Sequence, residues 1–327
     1  MTASWIEPHP LLTLDAEAAV QAILDGIRDA ARMQLGRRSA IVAVSGGIDS
    51  SVTAKLCAMA LGSANVTGLL MPERESSAQT RRLSREAAAA AGIRAVVEDI
   101  TPILEGAGCY RRRDAALREL IPAYGPGWRC KIVQPPVLAE PGKRAFRIVA
   151  RGPDGEHEDI EPAIELLRAV VAASNFKQRT RKMLEYYYAD RLNGLVAGTS
   201  NRMEAELGFF VKLGDGAGDL KPIAHLYKSQ VYQVGAHIGL PAPLLQAAPT
   251  PDTYPLAHDA EEFFFAAPLD ILDLCLFCRN NRYSVEATAD VTGLTPDQVT
   301  AVFADMAGKR AVAEYLHAAP ITLGDAG

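Results

Sequence analysis

Ala40-Ile41-Val42-Ala43-Val44-Ser45-Gly46-Gly47-Ile48-Asp49-Ser50-Ser51 is the stretch on which the reading of this chain turns. Its first five residues are apolar and partly β-branched, the composition of a strand buried on both faces of a parallel sheet. The paired glycines let the backbone turn sharply, and Val52 to Leu61 reads as the helix that follows. Strand, glycine turn and helix start together make an anion site. Backbone N–H groups and the hydroxyls of Ser45, Ser50 and Ser51 gather at the positive end of the helix. Asp49 is a carboxylate among those donors. It would repel phosphates unless a divalent cation lay between them, so the loop implies Mg²⁺ with a nucleotide. The spacing GxxxxGK[ST] is absent, which disfavours transfer of a γ-phosphoryl group.

Outward from this loop the chain alternates. Residues 15 to 35 read as an amphipathic helix with Asp15 as N-cap and Gly36 past its end. Val66 to Met71 reads as a second strand stopped by Pro72, residues 78 to 91 as a helix, and Ile93 to Glu98 as a third strand. Pro102 lies near a further helix start. Ile164 to Ala173 and Asn175 to Tyr188 are helical in pattern, and on the second Arg181 precedes Glu185 by one turn, an expected ion pair that leaves Arg179 for a ligand. Leu195-Val196-Ala197 is another short buried strand. The expected fold class is α/β, a doubly wound and mostly parallel sheet with helices on both faces.

From about 106 to 161 prolines and glycines break the pattern. Ala145 to Ala150, followed by Pro153-Asp154-Gly155, predicts a short β-hairpin in a loop-rich insertion, either a surface excursion or a lid or specificity element. Residues from about 262 to 327 predict a small helical part, and the whole chain of 1–327 is expected to be a single domain.

Composition narrows the class. The 327 residues are 49% hydrophobic and 22% charged, with a net charge of −5, so a globular core is available and no bulk attraction to nucleic acid or membrane is implied. No run is apolar enough to cross a bilayer, and the start MTASWIEPHPLL lacks a basic segment leading into an apolar one. A cytoplasmic location is the default expectation. Five cysteines suggest reduced thiols, and Cys275 and Cys278, at i and i+3, suit one apolar helix face.

A second constellation follows the strand at 195–197. Gly198-Thr199-Ser200-Asn201-Arg202-Met203-Glu204 carries small hydrogen-bonding groups at a turn and a carboxylate one turn later. Lys212-Leu213-Gly214-Asp215-Gly216-Ala217-Gly218-Asp219 is a glycine-rich loop with a lysine and two acids, and Leu226-Tyr227-Lys228-Ser229-Gln230-Val231 comes next.

SGGIDSS after a buried strand resembles the PP-loop of the N-type ATP pyrophosphatases, which cleave ATP between its α- and β-phosphates. The order SGGxDS, KQRTR, GTSNxxE, FFVKxGDGxxD, PIxxLYKSQV closely resembles the NAD synthetase family of ammonia-dependent type, over roughly residues 15 to 110 and 162 to 255. The resemblance implies an adenine nucleotide alpha hydrolase-like fold and ATP-dependent amidation of deamido-NAD, with AMP and pyrophosphate released. It implies that Ser45, Gly46, Gly47, Asp49, Ser50, Ser51, Thr199, Lys228 and Thr250 contact ATP. Asp49 and Glu204 would hold Mg²⁺, and Asp49, Lys228 and Glu204 would carry the chemistry. Arg179, Lys212 and Asp219 would meet the dinucleotide. A homodimer is implied as well. With the PP-loop already at residue 45, ammonia is expected free or from a separate glutaminase. Glu261 and Glu262 keep an acidic pair where the family has one, while Lys309 and His317 are partial counterparts of its C-terminal His-Lys pair.

Ammonia attack on an acyl-adenylate needs no side-chain nucleophile, and no Ser-His-Asp pattern is present. Two alternatives stay open: the same chemistry on a different carboxylate, and a PP-loop tRNA-modifying enzyme, for which Cys109 or Cys130 of the insertion, with Arg111 to Arg113 nearby, would supply the thiol and Cys130 the test.

Overall fold

The computed structural model describes residues 8–139, 145–250 and 253–323. The start of the chain through Glu7, and Pro141 and Gly142 of the insertion, lie outside them.

The first half lays down α1 (Ala16–Asp29), β1 (Ala40–Ala43), α2 (Ile48–Leu61), β2 (Val66–Leu70), α3 (Ala78–Ala91) and β3 (Arg94–Val97). Asp15 caps α1 by accepting from the Ala18 N–H at 3.0 Å, and Ser77 caps α3 through the Thr80 N–H at 3.0 Å. Gly92, in the left-handed region at φ 68°, ends α3. The expected helix after the glycine turn begins earlier than its apolar pattern shows: Ile48 opens α2, so Asp49 belongs to the first helical turn, where a carboxylate is favoured.

Next come α4 (Thr101–Gly106), α5 (Cys109–Leu120), β4 (Arg129–Val133), β5 (Arg147–Arg151), β6 (His157–Ile160), α6 (Ile164–Ser174), α7 (Phe176–Leu192) and β7 (Leu195–Ala197). The rest is helical: α8 (Arg202–Leu207), α9 (Lys228–His237), α10 (Ala242–Leu245), α11 (Leu269–Asn280), α12 (Val285–Thr292) and α13 (Pro296–His317).

Four strands form a parallel sheet in the order β3-β2-β1-β7. Side chains of β1 alternate between two cores. Ala40, Val42 and Val44 pack with α1, α2, α3 and α9, while Ile41 packs with residues of α4, α5 and α7 on the other face. The sheet is thus covered on both sides. β1 has β2 on one flank and the late strand β7 on the other, and ligand sites of open parallel sheets lie at such a reversal, off the strand C-termini. The two turns singled out in the sequence, after β1 and after β7, meet there.

The insertion is more regular than expected. Its charged start is the helix α5, and a three-stranded antiparallel meander, β4-β5-β6, replaces the simple hairpin. Its core includes Leu117, Ile121, Tyr124, Cys130, Ile132, Ile148 and Ala150, joined by Val170 of α6 and by Tyr254. A fourth core holds Met203 and Leu207 of α8 against α11 and α13, with Leu12 among them.

Candidate active site

The glycine turn keeps its shape through its own backbone and hydroxyls. Gly46 has φ +88°, and a Cβ there would lie 2.5 Å from the Ser84 nitrogen of α3, so only glycine fits. Ser50 Oγ donates to the Gly47 carbonyl at 3.0 Å and shares a 3.1 Å hydrogen bond with Ser45 Oγ. Ser51 Oγ donates to the same carbonyl at 2.8 Å. Ser45, Gly46, Gly47, Asp49 and Ser50 line a cavity of about 1000 Å³. Ser51 does not; its buried hydroxyl braces the turn from behind.

Asp49 is the meeting point of the two halves. Lys228, first residue of α9, donates its ammonium to Asp49 Oδ2, and Asn201 Nδ2 donates to Asp49 Oδ1 at 2.9 Å. Asn201 also caps α8 in a capping box: its Oδ1 accepts from the Glu204 N–H at 3.0 Å, and Glu204 Oε2 accepts from the Asn201 N–H at 3.2 Å. Glu204 and Lys228 both line the cavity. Burial, and then the negative charge of Asp49, push the Glu204 carboxyl up to about 8, with Lys228 opposing. Burial disfavours the charged Lys228, but Asp49 and Glu204 outweigh it and raise its pKa. Asp273 of α11 holds the lysine's backbone, accepting from Lys228 N at 3.0 Å and Ser229 N at 2.6 Å.

A second polar group lies along the same cavity on α7 and the glycine-rich loop after α8. Glu185 pairs with Lys182 at 2.7 Å, both buried, in place of the expected Arg181. Arg181 instead reaches the Met71 carbonyl at 3.3 Å and Gln178 Oε1 at 3.4 Å. Burial pushes the carboxyls of Glu185 and Asp215 up. Asp215 Oδ1 accepts from the Val211 N–H at 2.8 Å. Gly216 is required beside it, since a Cβ there would lie 2.1 Å from the Phe210 ring.

Other expected residues are distributed more widely. Thr199 and Thr250 line the cavity, and Thr250 Oγ1 donates to the His258 carbonyl at 2.9 Å. Arg179, Lys212 and Asp219 do not line it. Arg179 Nε donates to the Lys212 carbonyl at 3.3 Å, Lys212 Nζ reaches the carbonyls of Tyr315 and Ala318, and Asp219 Oδ2 accepts from the Val196 N–H at 2.8 Å. Lys309 pairs with Asp305, and His317 Nε2 lies 2.7 Å from the Ala205 carbonyl. All five cysteines are buried thiols, Cys275 and Cys278 among them as the helix face suggested. Cys130 is 1% exposed and burial raises its pKa, which leaves a thiol-based tRNA chemistry without an accessible nucleophile there. Among the described residues no helix is long and apolar enough to cross a membrane.

Asn201, Lys182, Asp215 and Asp273 had no role assigned from sequence, and Glu185 was given Arg181 as its partner rather than Lys182. The spacing Asn-x-x-Glu at 201–204 is itself a capping-box signature and carried the signal for the first. Nothing local links Asp273 to Lys228.

The family model described as NAD synthase matches residues 19–116 and 156–311. The chain belongs to the NAD synthase family. Asp49, Asn201, Glu204 and Lys228 all fall inside the matched stretches. The chain is 47% identical to the NH(3)-dependent NAD(+) synthetase of Mesorhizobium japonicum over 311 residues, 95% of this chain and 98% of that protein. Among solved structures, NMN synthetase from Francisella tularensis superposes with a TM-score of 0.63 at 20% identity, covering 95% of this chain and 99% of that one. NH3-dependent NAD synthetase from Campylobacter jejuni gives 0.61 at 21%, covering 95% and 100%. At such identities the likeness bears on the fold, and it agrees with the parallel PP-loop sheet.

Proposed function

We propose that this NAD synthase family member is an ammonia-dependent amide ligase that converts deamido-NAD to NAD with ATP. The observation that carries the reading is the convergence of Asp49, Lys228 and Glu204 on one cavity at the glycine turn. A volume of about 1000 Å³ is at the upper end of the roughly 300–1,000 Å³ usual for ligand sites, as two nucleotides require.

The reaction asks for charge control at phosphorus. The substrate carboxylate attacks the α-phosphorus of ATP, the α–β bridging bond breaks, and pyrophosphate leaves with the bond's electrons. Ammonia then adds to the acyl carbon, AMP departs with the C–O electrons, and the surplus proton goes to solvent or a nearby base. The turn's N–H groups and Ser45 and Ser50 would bind the phosphates, and the Lys228 ammonium would meet the charge that grows there. Lys228 is buried and held by Asp49 and by the anchored start of α9, so little reorganisation is needed.

Mg²⁺ fits the donor set. Asp49 and Glu204 are hard oxygen donors close enough for one to raise the other's pKa, and a Mg²⁺ site of one or two carboxylates completed by phosphates is the usual arrangement with nucleotides. Among the described residues no cluster of three or more His, Cys, Asp or Glu could hold a metal ion, so nucleotide oxygens would have to complete the shell. Bound there, the ion would neutralise phosphate charge and orient the nucleotide.

Arg179, Lys212 and Asp219, which lie outside the cavity lining, are assigned to the dinucleotide on family resemblance alone. A homodimer and a cytoplasmic setting belong to the same reading. The test is a purified-enzyme assay with ATP, Mg²⁺, ammonium and deamido-NAD. One AMP and one NAD per turnover support the proposal; no AMP release on deamido-NAD overturns it.

A further inference from the structure

Residues 253 to 265 supply much of the wall of the cavity that the glycine turn also lines, through Thr253, Tyr254, Ala257, His258, Phe263 and Phe264. That wall is fastened to the insertion. β4 is an edge strand of the meander, and its outer edge takes the Leu256 N–H onto the Cys130 carbonyl at 3.1 Å. The chain leaving β4 continues the docking: Gln134 N donates to the Glu262 carbonyl at 2.9 Å, and Val137 N to the Ala266 carbonyl at 2.7 Å. Lys131 of β4 pairs with Glu262 at 2.5 Å.

Side chains repeat the attachment. Tyr254, 4% exposed, is a member of the insertion's own core together with Leu117, Ile132 and Ile148. Its ring meets Phe263 at 5.8 Å and His258 at 5.7 Å, so the buried tyrosine orders residues that face the cavity. Lys177 donates to the Thr253 carbonyl at 2.7 Å while paired with Glu73 and Glu75, and Arg113 of α5 grips Glu75 through two bonds of 2.7 and 2.9 Å. The family match breaks between residues 116 and 156, which removes β4 and β5 from it, whereas the wall lies inside it.

Resting on the amide-ligase reading, we infer that the insertion is the template that positions the 253–265 wall over the reacting groups, with Lys131 and the backbone at Gln134 as positioning elements that touch no substrate. The physical consequence is retention of the activated acid. An acyl-adenylate is open to water, and a wall held at several points along one strand edge keeps water out while ammonia reacts. Free strand edges seek partners; this one takes an N–H from the wall at Cys130, and the segment just after it donates two more back, at Gln134 and Val137.

The test uses the full-length enzyme. Gln134→Pro deletes the N–H that reaches Glu262, one residue beyond β4, and spares the β4–β5 ladder. Gln134→Ala keeps that N–H and is the control. Lys131→Met removes the ion pair, and Lys131→Arg restores it. Hydrogen exchange across 253–266, measured without substrate, is expected to quicken about tenfold or more in Gln134→Pro and Lys131→Met. With ATP, Mg²⁺, ammonium and deamido-NAD, these two variants should release about two or more AMP per NAD and show a KM for deamido-NAD raised about fivefold. Gln134→Ala and Lys131→Arg should keep one AMP per NAD. Exchange and stoichiometry indistinguishable from the control would overturn the inference, as would activity falling only with melting temperature at one AMP per NAD. A wild-type enzyme inert on deamido-NAD would sink the function but leave the exchange comparison readable.

Discussion

The Lys228 ammonium rests on Asp49 although 179 residues separate the two in sequence. Asn201 takes the other oxygen of the same carboxylate, so Asp49 is pinned from both sides. Lys228→Met should lower kcat/KM for amidation by about 10²–10³, the usual cost of deleting a positioned charge at a developing anion. Circular dichroism should show the fold retained. Lys228→Arg should not rescue, because the planar guanidinium cannot take the ammonium's place in a buried slot. Amide and AMP formation measured side by side check this; a variant within threefold of wild type removes Lys228 from the chemistry.

Gly46→Ala tests the turn. The new methyl would meet the Ser84 backbone at 2.5 Å, and an alanine at φ +88° is strained before any contact is counted. Loss of about 1–3 kcal/mol in urea unfolding, with ATP affinity down by roughly tenfold or more, is the expected result.

The acid–base behaviour of Asp273 carries a stability signature. Burial pushes its carboxyl from 3.8 up to about 6, against the stabilising N–H bonds from Lys228 and Ser229. The folded protein therefore holds this proton to higher pH than the unfolded chain, and the group's contribution falls as pH rises. The loss begins near pH 4, is complete above pH 6, and is bounded by roughly 3 kcal/mol at 1.36 kcal/mol per unit. Asp273→Asn lacks the titration, so urea melts at pH 4, 5 and 6 should show the variant gaining on wild type as pH rises. A constant difference across that window would contradict the assignment.

Lys177→Met should cost about 3–5 kcal/mol, because it leaves Glu73, with no exposed surface, as a buried anion without its cation. Adding Glu73→Gln should recover part of that loss. The coupling read from the double-mutant cycle in denaturant melts measures the pair, and additivity of the two single changes would show it to be inert.

Much of the site was legible because its signals are local. The apolar run at 40–44, the glycine turn and the cap at Asp15 each declare themselves within a few residues, and the capping box at Asn201, though not read, has an equally local signature. The insertion hid for the opposite reason. On α5 the buried face includes Arg113, whose charge is matched by Glu75 from a distant turn, so an apolar stripe never forms in the sequence. β6 reads His157-Glu158-Asp159-Ile160, a polar run that only its pairing with β5 makes a strand. The partner of Glu185 was misread because Lys182 and Arg181 both lie one turn before it, and only the Met71 carbonyl, from the end of β2, draws Arg181 away. Asp273 is beyond any local reading, lying 45 residues from the backbone it anchors.

The long interval between the glycine turn and its lysine bears on how the molecule is made. A chain leaving the ribosome N-terminus first completes the anion-holding turn well before residue 228 has been translated. Until α9 has been made, the Asp49 carboxylate lacks the cation that pairs with it, so the two halves of the site can close on each other only after residue 228 has emerged.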